Sequence, residues 1–135
     1  VIRFGMPSAV SLVFDAIDVA HWLVEFYPYI RSYLDEPKSL QELRADADAR
    51  RKGYDLHHIV EQSAARAAGF PESLIEGPEN LVWVPRFRHW QVTGWFMEPS
   101  AAYGGLSPRK YLVGKDWAER RRVGIDAFRI NGVLK

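Results

Sequence analysis

No cysteine occurs among the 135 residues. A disulfide framework and any thiolate metal site are therefore excluded, and cysteine usage leaves the redox compartment open. Long apolar runs are missing too. The longest apolar stretch, between Ala9 and Tyr29, is interrupted by Asp15, Asp18, His21 and Glu25. Nothing approaches the roughly 18 uninterrupted apolar residues of a membrane-spanning helix. There is no internal repeat, no low-complexity segment and no basic-then-apolar leader. Val1 stands where an initiator methionine would, so the sequence is expected to be a segment of a longer protein.

What the chain does have is apolar and aromatic material. It is 47% hydrophobic, with 5 Trp, 6 Tyr and 7 Phe, which argues against disorder and for one compact domain with a helical lead-in. At this length a domain buries roughly two-thirds of its unfolded surface and needs no covalent staple. The net charge of +1 conceals an asymmetry. Residues 1–50 carry 5 basic and 8 acidic groups, residues 51–106 carry 5 and 6, and residues 107–135 carry 8 and 3. The basic last third suits phosphate binding, although a solvated helix face has the same composition.

Periodicity places an amphipathic helix over Val10–Tyr27, with Val13, Ile17, Ala20, Leu23 and Val24 on one stripe and Pro28 ending or bending it. Ser39 and Glu42 form a capping box for a second helix running through Ala45 to about Arg51 and stopping at Gly53. The period then shortens. Tyr54–Val60 and Leu81–Val84 read as strands, the second closed by Pro85. Between them a short helix over Ser63–Ala68 stops at Gly69, followed by a loop through Pro71 and Pro78. Arg86–Phe96 is helical. Ser107-Pro108 and the Asp116…Glu119 capping box start two further helices, the last reaching about Ile130 with Gly132 beyond it. The fold class expected is α+β: mostly helical, with residues 1–52 a lead-in packed on a core of residues 53–135.

Two segments carry the candidate chemistry. The first is Asp55-Leu56-His57-His58-Ile59-Val60-Glu61. The second runs from Glu79-Asn80 through a strand into Arg86-Phe87-Arg88-His89. Neighbours on a regular strand point to opposite faces, so His57 and His58 can share a site only where the strand ends, and in different roles. A lone histidine such as His21 is read as an ordinary surface or core residue, and Asn80 alone as a turn residue.

Taken together, the His-His pair at a strand end, the Asn before the next strand and a His nine residues later resemble the HNH, or ββα-metal, nucleases. Within that superfamily the likeness is closest to LHH-type bacterial toxin nucleases, with Leu56 before the pair, and more distant to the colicin-type DNases. It covers about residues 53–135, including Ser107–Leu112 and Trp117–Arg122. The resemblance implies a hairpin-plus-helix core and hydrolysis of nucleic-acid phosphodiester bonds, DNA before RNA. It implies one divalent metal ion held by His57 and His89, His58 as general base, and Asn80 fixing the loop that orients His58. Mg²⁺ is the first expectation for the ion, with Zn²⁺, Ni²⁺ and Mn²⁺ also suited to imidazole. A toxin domain of this kind implies a secreted or translocated effector acting in the target-cell cytoplasm, and a cognate immunity protein. The chain departs from the colicin-type pattern at Thr93, where a further histidine ligand would stand.

Around this set, Asp55 and Glu61 are candidate carboxylates for the metal or for a histidine. Arg86 and Arg88 are candidate phosphate clamps, and Lys115, Arg120, Arg121 and Arg122 candidate contacts to a nucleic-acid backbone. Three consecutive arginines span most of a helical turn and cannot all face one ligand, so one is expected to be structural. Trp83, Trp90, Trp95 and Trp117 are read as core in preference to base-stacking platforms. Two rival functions stay open: a nucleic-acid-binding module built round a structural metal, and a protein-interaction domain that docks through its helical first third.

Overall fold

The computed structural model describes residues 9–44 and 52–135. It is an α+β fold, mostly helical, with one two-stranded antiparallel sheet. In chain order the elements are α1 (Ala9–Tyr33), α2 (Leu40–Leu43), β1 (Tyr54–His58), α3 (Gln62–Ala67), α4 (Glu72–Ile75), β2 (Leu81–Pro85), α5 (Arg86–Met97), α6 (Pro108–Tyr111) and α7 (Trp117–Ile130). Single 3₁₀ turns lie at Pro78–Asn80 and Ala101–Tyr103. Among the described residues, no helix is long and apolar enough to cross a membrane.

The hairpin pairs Tyr54 with Pro85 at one end and His58 with Leu81 at the other. Val82 and Val84 of β2 are buried, as alternation on a half-buried strand requires. Pro85 ends the ladder, and α5 begins at the next residue. β1 is shorter than its composition suggested: the chain turns away after His58, and Ile59 and Val60 drop into the interior at 1% and 2% exposure. The core beneath the sheet joins Val82 and Val84 to Val92 and Phe96 of α5 and to Val123, Ala127 and Phe128 of α7. Where α7 crosses the exit of β1, it does so at Gly124. A Cβ there would stand 2.1 Å from the carbonyl oxygen of Ile59, so any side chain would push helix and strand exit apart.

Several expectations are corrected. α1 does not stop at Tyr27; it continues through Pro28 to Tyr33. The lost backbone donor is outweighed by anchorage of the last turns. Gly53, at φ +79°, lets the Pro28 carbonyl approach to where a Cβ would be only 2.1 Å away, a backbone angle and a space that glycine alone tolerates. Ser32 Oγ donates to the Gly53 carbonyl at 2.9 Å, and the guanidiniums of Arg86 and Arg88 each lie 4.0 Å from the ring centroids of Tyr29 and Tyr33. The stripe read as the buried face is not buried: Ile17, Ala20, Leu23 and Val24 are exposed, while the side chain of Val13 lies outside the described residues. The lead-in docks by its last turns.

The Ser39–Glu42 capping box forms in both directions, but α2 is one turn, and the expected continuation over residues 45–51 lies outside the described residues. Between Pro71 and Pro78 a helical turn, α4, replaces the expected loop because Ile75 is drawn into a small satellite core with Val60 and Ala65. Only half of the second capping box forms. Asp116 accepts from the Glu119 N–H at 2.8 Å, while the Glu119 carboxylate turns to Arg122 and Tyr111. Trp83, Trp95 and Trp117 pack against the two cores, but Trp90 is 61% exposed. It sits on the side of α5 opposite Val92 and Phe96.

Candidate functional site

At the end of β1 the two adjacent histidines are held by different atoms. His57 Nδ1 lies 2.7 Å from the carbonyl oxygen of His58. A carbonyl only accepts, so Nδ1 carries the proton and Nε2 keeps its lone pair. His58 is the reverse: its Nε2 lies 3.1 and 3.2 Å from the two oxygens of Glu76. An ionised carboxylate only accepts, so Nε2 carries the proton, and in the neutral ring Nδ1 keeps the lone pair. One residue apart, the two imidazoles present opposite nitrogens for chemistry.

His89, in the first turn of α5, completes a cluster with His57. Their ring centroids are 4.2 Å apart, and the Phe128 ring packs edge-on against His57 at 5.6 Å. The His57 pKa is pushed down from 6.5 to about 4, first by burial and then by His89. The His89 pKa is lowered as well, chiefly by burial, with Asp55 pulling the other way. Both rings are therefore neutral at pH 7, the form in which imidazole is a metal donor. His89 Nδ1 is buried and has no hydrogen-bond partner; Asp55 Oδ2 is 3.9 Å away, beyond bonding distance. Asp55 is instead engaged by Arg86 through two parallel bonds of 2.9 and 3.0 Å.

Asn80 is 2% exposed and fully used. Its Oδ1 accepts from the Val60 N–H at 2.8 Å, and its Nδ2 donates to the carbonyls of Val60 at 3.3 Å and Ile75 at 3.0 Å. Its own carbonyl accepts from Ile59 at 2.9 Å. The two residues that follow His58 are thus tied to Asn80.

The three histidines open on one cleft of about 690 Å³, lined also by Glu61, Gln62, Ser63, Thr93 and Arg109. Arg109 and Glu61 form a two-pronged ion pair across it, one prong at 3.1 Å. Thr93 Oγ1 donates to the His89 carbonyl at 3.1 Å along its own helix. Arg109 and Glu76 are absent from the sequence-derived site. Arg109 was signalled by the Ser107-Pro108 helix start, which puts it in a first turn, but its arrival at this cleft depends on tertiary structure. Glu76 carried no local signal.

Other candidates lie elsewhere. Arg86 is spent on Asp55 and Tyr29, and Arg88 on Tyr33, whose carbonyl it reaches at 3.2 Å, and on Gln91 at 3.1 Å. Neither lines the cleft. Lys115, Arg120, Arg121 and Arg122 do not line it either. Arg120 is the structural one of the three arginines: it is buried, with Nε donating to the Lys115 carbonyl at 2.9 Å. Arg121 reaches the Glu79 carbonyl at 3.1 Å, and Arg122 pairs with Glu119 and Asp126. Lys115 lies 4.9 Å from the Tyr111 ring centroid.

The donor set for a metal is small. Among the described residues, no three or more His, Asp or Glu side chains gather in a metal-ligating group. Two neutral imidazoles, one of them His89 with its Nδ1 unpaired, would suit an open two-histidine site better than a closed structural zinc. Compared with protein-family models, curated proteins and solved structures, the chain matches none.

Proposed function

We propose that this chain is a metal-dependent endonuclease of the ββα-metal type, hydrolysing nucleic-acid phosphodiester bonds, DNA before RNA. The observation that carries this reading is the pair of adjacent imidazoles held through opposite ring nitrogens, His57 by Nδ1 and His58 by Nε2, opening with His89 on one cleft. Hydrolysis needs a base for water and a counter-charge for the phosphoryl and leaving oxygens. His58 offers the base: its Nδ1 lone pair takes a proton from water while the water oxygen attacks phosphorus, the P–O bond to the leaving nucleoside oxygen breaks, and that oxygen keeps the electron pair and takes a proton from solvent. His57 and His89 would hold the divalent ion, Mg²⁺ before Zn²⁺, Ni²⁺ or Mn²⁺, which when bound supplies Lewis-acid stabilisation of charge on oxygen. Asn80 keeps the exit of β1 in one conformation, and so keeps the His58 ring facing the cleft. Arg109 lies at the cleft wall with its guanidinium paired to Glu61, so it would meet a phosphate only by exchanging that partner.

Purified protein incubated with supercoiled plasmid and with total RNA, under Mg²⁺, Mn²⁺, Zn²⁺ or chelator, tests the reading. Metal-dependent nicking supports it. An intact plasmid and intact RNA under every ion remove it.

The reading extends to a toxin domain delivered into a target cell and neutralised at home by an immunity protein. Expression of the domain in the bacterial cytoplasm is expected to arrest growth, and His58→Ala to restore it; a soluble, harmless wild-type domain removes the toxin role. A second reading, a protein-interaction domain, is favoured by α1, where Trp22, Leu23, Val24 and Tyr27 are exposed. That reading predicts no cleavage.

A further inference from the structure

We propose that Glu76 is a positioning residue for the base His58, acting through the far side of the imidazole ring. This inference rests on the nuclease reading above and adds a residue to its machinery.

Glu76 is the residue that ends α4, and its carboxylate collects donors from three side chains. Oε1 accepts from Gln62 Nε2 at 3.0 Å and from an Arg66 nitrogen at 3.0 Å. His58 Nε2 lies 3.1 Å from the same oxygen and 3.2 Å from the other. Gln62 and Arg66 are one turn apart on α3, and so stand on one face of that helix. Arg66 also grips Glu72 at the start of α4. The pair α3–α4 thus fixes the carboxylate from behind, and the carboxylate fixes the ring.

The arrangement does more than a surface ion pair would. The His58 side chain is only 19% exposed, against 43% for Glu76, so the bond lies at the inner, better shielded end of the network. An isolated imidazole exchanges its proton between two nitrogens and rotates about its side-chain torsions. Here an acceptor-only partner at Nε2 selects the tautomer with Nδ1 free and limits the ring's rotation. When Nδ1 takes the proton from water, the water oxygen keeps the electron pair that goes to phosphorus, the pair of the breaking P–O bond departs with the leaving oxygen, and the new positive charge on the ring faces the Glu76 carboxylate. Asn80 sets the backbone next to His58 and Glu76 sets the ring. These are separate constraints on the same side chain.

The test compares wild type, Glu76→Ala and Glu76→Gln. The first measurement is the ¹⁵N chemical shifts of the His58 ring in metal-free protein at pH 8. Wild type is expected to show the Nε2–H tautomer; Glu76→Ala is expected to show a mixture, and Glu76→Gln, whose amide oxygen still accepts, to keep most of the bias. The second is plasmid nicking under the best ion. Glu76→Ala is expected to lower kcat about 10–100-fold, as loss of such supporting partners does, with KM and metal affinity unchanged and Glu76→Gln partly restored. Because Glu76 also braces α3 against α4, Glu72→Ala serves as the control for bracing alone: it removes the Arg66 grip on the start of α4 and leaves the Glu76–His58 bond in place, so a kcat loss equal to that of Glu76→Ala overturns the proposal. Unchanged tautomer populations in Glu76→Ala overturn it too. A wild type that nicks, with Glu76→Ala nicking equally well, sinks the proposal while the nuclease reading stands. A wild type that cuts nothing removes both, even if the tautomer shift is seen.

Discussion

His57 donates its Nδ1 proton to the carbonyl oxygen of the next residue, His58, at 2.7 Å. The bond runs between neighbours in sequence, so it needs no distant element to form. It turns the His57 lone pair at Nε2 away from the backbone and ties the ring to the peptide whose side chain is the proposed base. The proposed ligand and the proposed base are therefore geometrically coupled at a strand end, and the variants below separate them.

His58→Ala is expected to abolish cleavage, by about 10²–10⁴-fold for loss of a general base, with divalent-ion affinity and melting temperature nearly those of wild type. Calorimetric titration with Mg²⁺, Mn²⁺ or Zn²⁺ beside the nicking assay decides the matter. Loss of the ion in this variant would exchange the roles of His57 and His58.

His89→Ala is expected to lose ion binding and cleavage together, because two imidazoles are the nitrogen donors the cluster provides. Unchanged affinity in the same titration would take His89 out of the coordination shell.

Metal-free protein is expected to lose stability as pH falls. His57 titrates near 6.5 when unfolded but at about 4 when folded. Its contribution is fully present above pH 6.5; below that the unfolded chain takes up a proton that the folded state refuses. The contribution is lost as pH falls toward 4 and amounts to about 3 kcal/mol in all. Melting temperatures recorded from pH 7.5 to pH 4 should therefore fall more steeply for wild type than for His57→Gln. Parallel curves would show that burial does not hold His57 neutral.

Asn80→Ala leaves the Val60 N–H and the Ile75 carbonyl without their partner in the interior, at a cost on the order of 2–3 kcal/mol. Asn80→Asp should be worse, since a carboxylate would face the carbonyls of Val60 and Ile75 where the amide now donates. Urea unfolding midpoints give the order: wild type, then Ala, then Asp. An Asp variant as stable as wild type would contradict the hydrogen-bond assignment.

The hairpin, α5 and α7 were legible in the sequence because their signals are local: β-prone runs closed by Pro85, a cap at Asp116, a period of 3.6 on either side of Val92 and Val123. The residues of the candidate cluster were legible as types. Their bonds were not. That Asn80 would hold the exit of β1 came from a resemblance, and the atoms that do so belong to residues twenty positions apart. α1 was misjudged because the stacking of Arg86 and Arg88 on Tyr29 and Tyr33, which extends it past Pro28, joins segments far apart in the chain. α4 was hidden because one turn of helix has no period to read; Ile75 makes it by burial. Arg109 and Glu76 are ordinary charged residues until tertiary structure brings the first to the cleft and the second to the back of the His58 ring.

Gly124 carries a consequence for what the hairpin is. With no side chain there, α7 comes up against the Ile59 carbonyl, the first peptide beyond His58, while Phe128 one turn on backs the His57 ring. The exit of β1 is moulded on a helix that begins nearly sixty residues later. A chain stopped before Trp117 would contain all three cleft histidines and Asn80, but nothing against which to set their spacing. The motif here is a dependent one: it becomes a site only when the last helix has closed behind it.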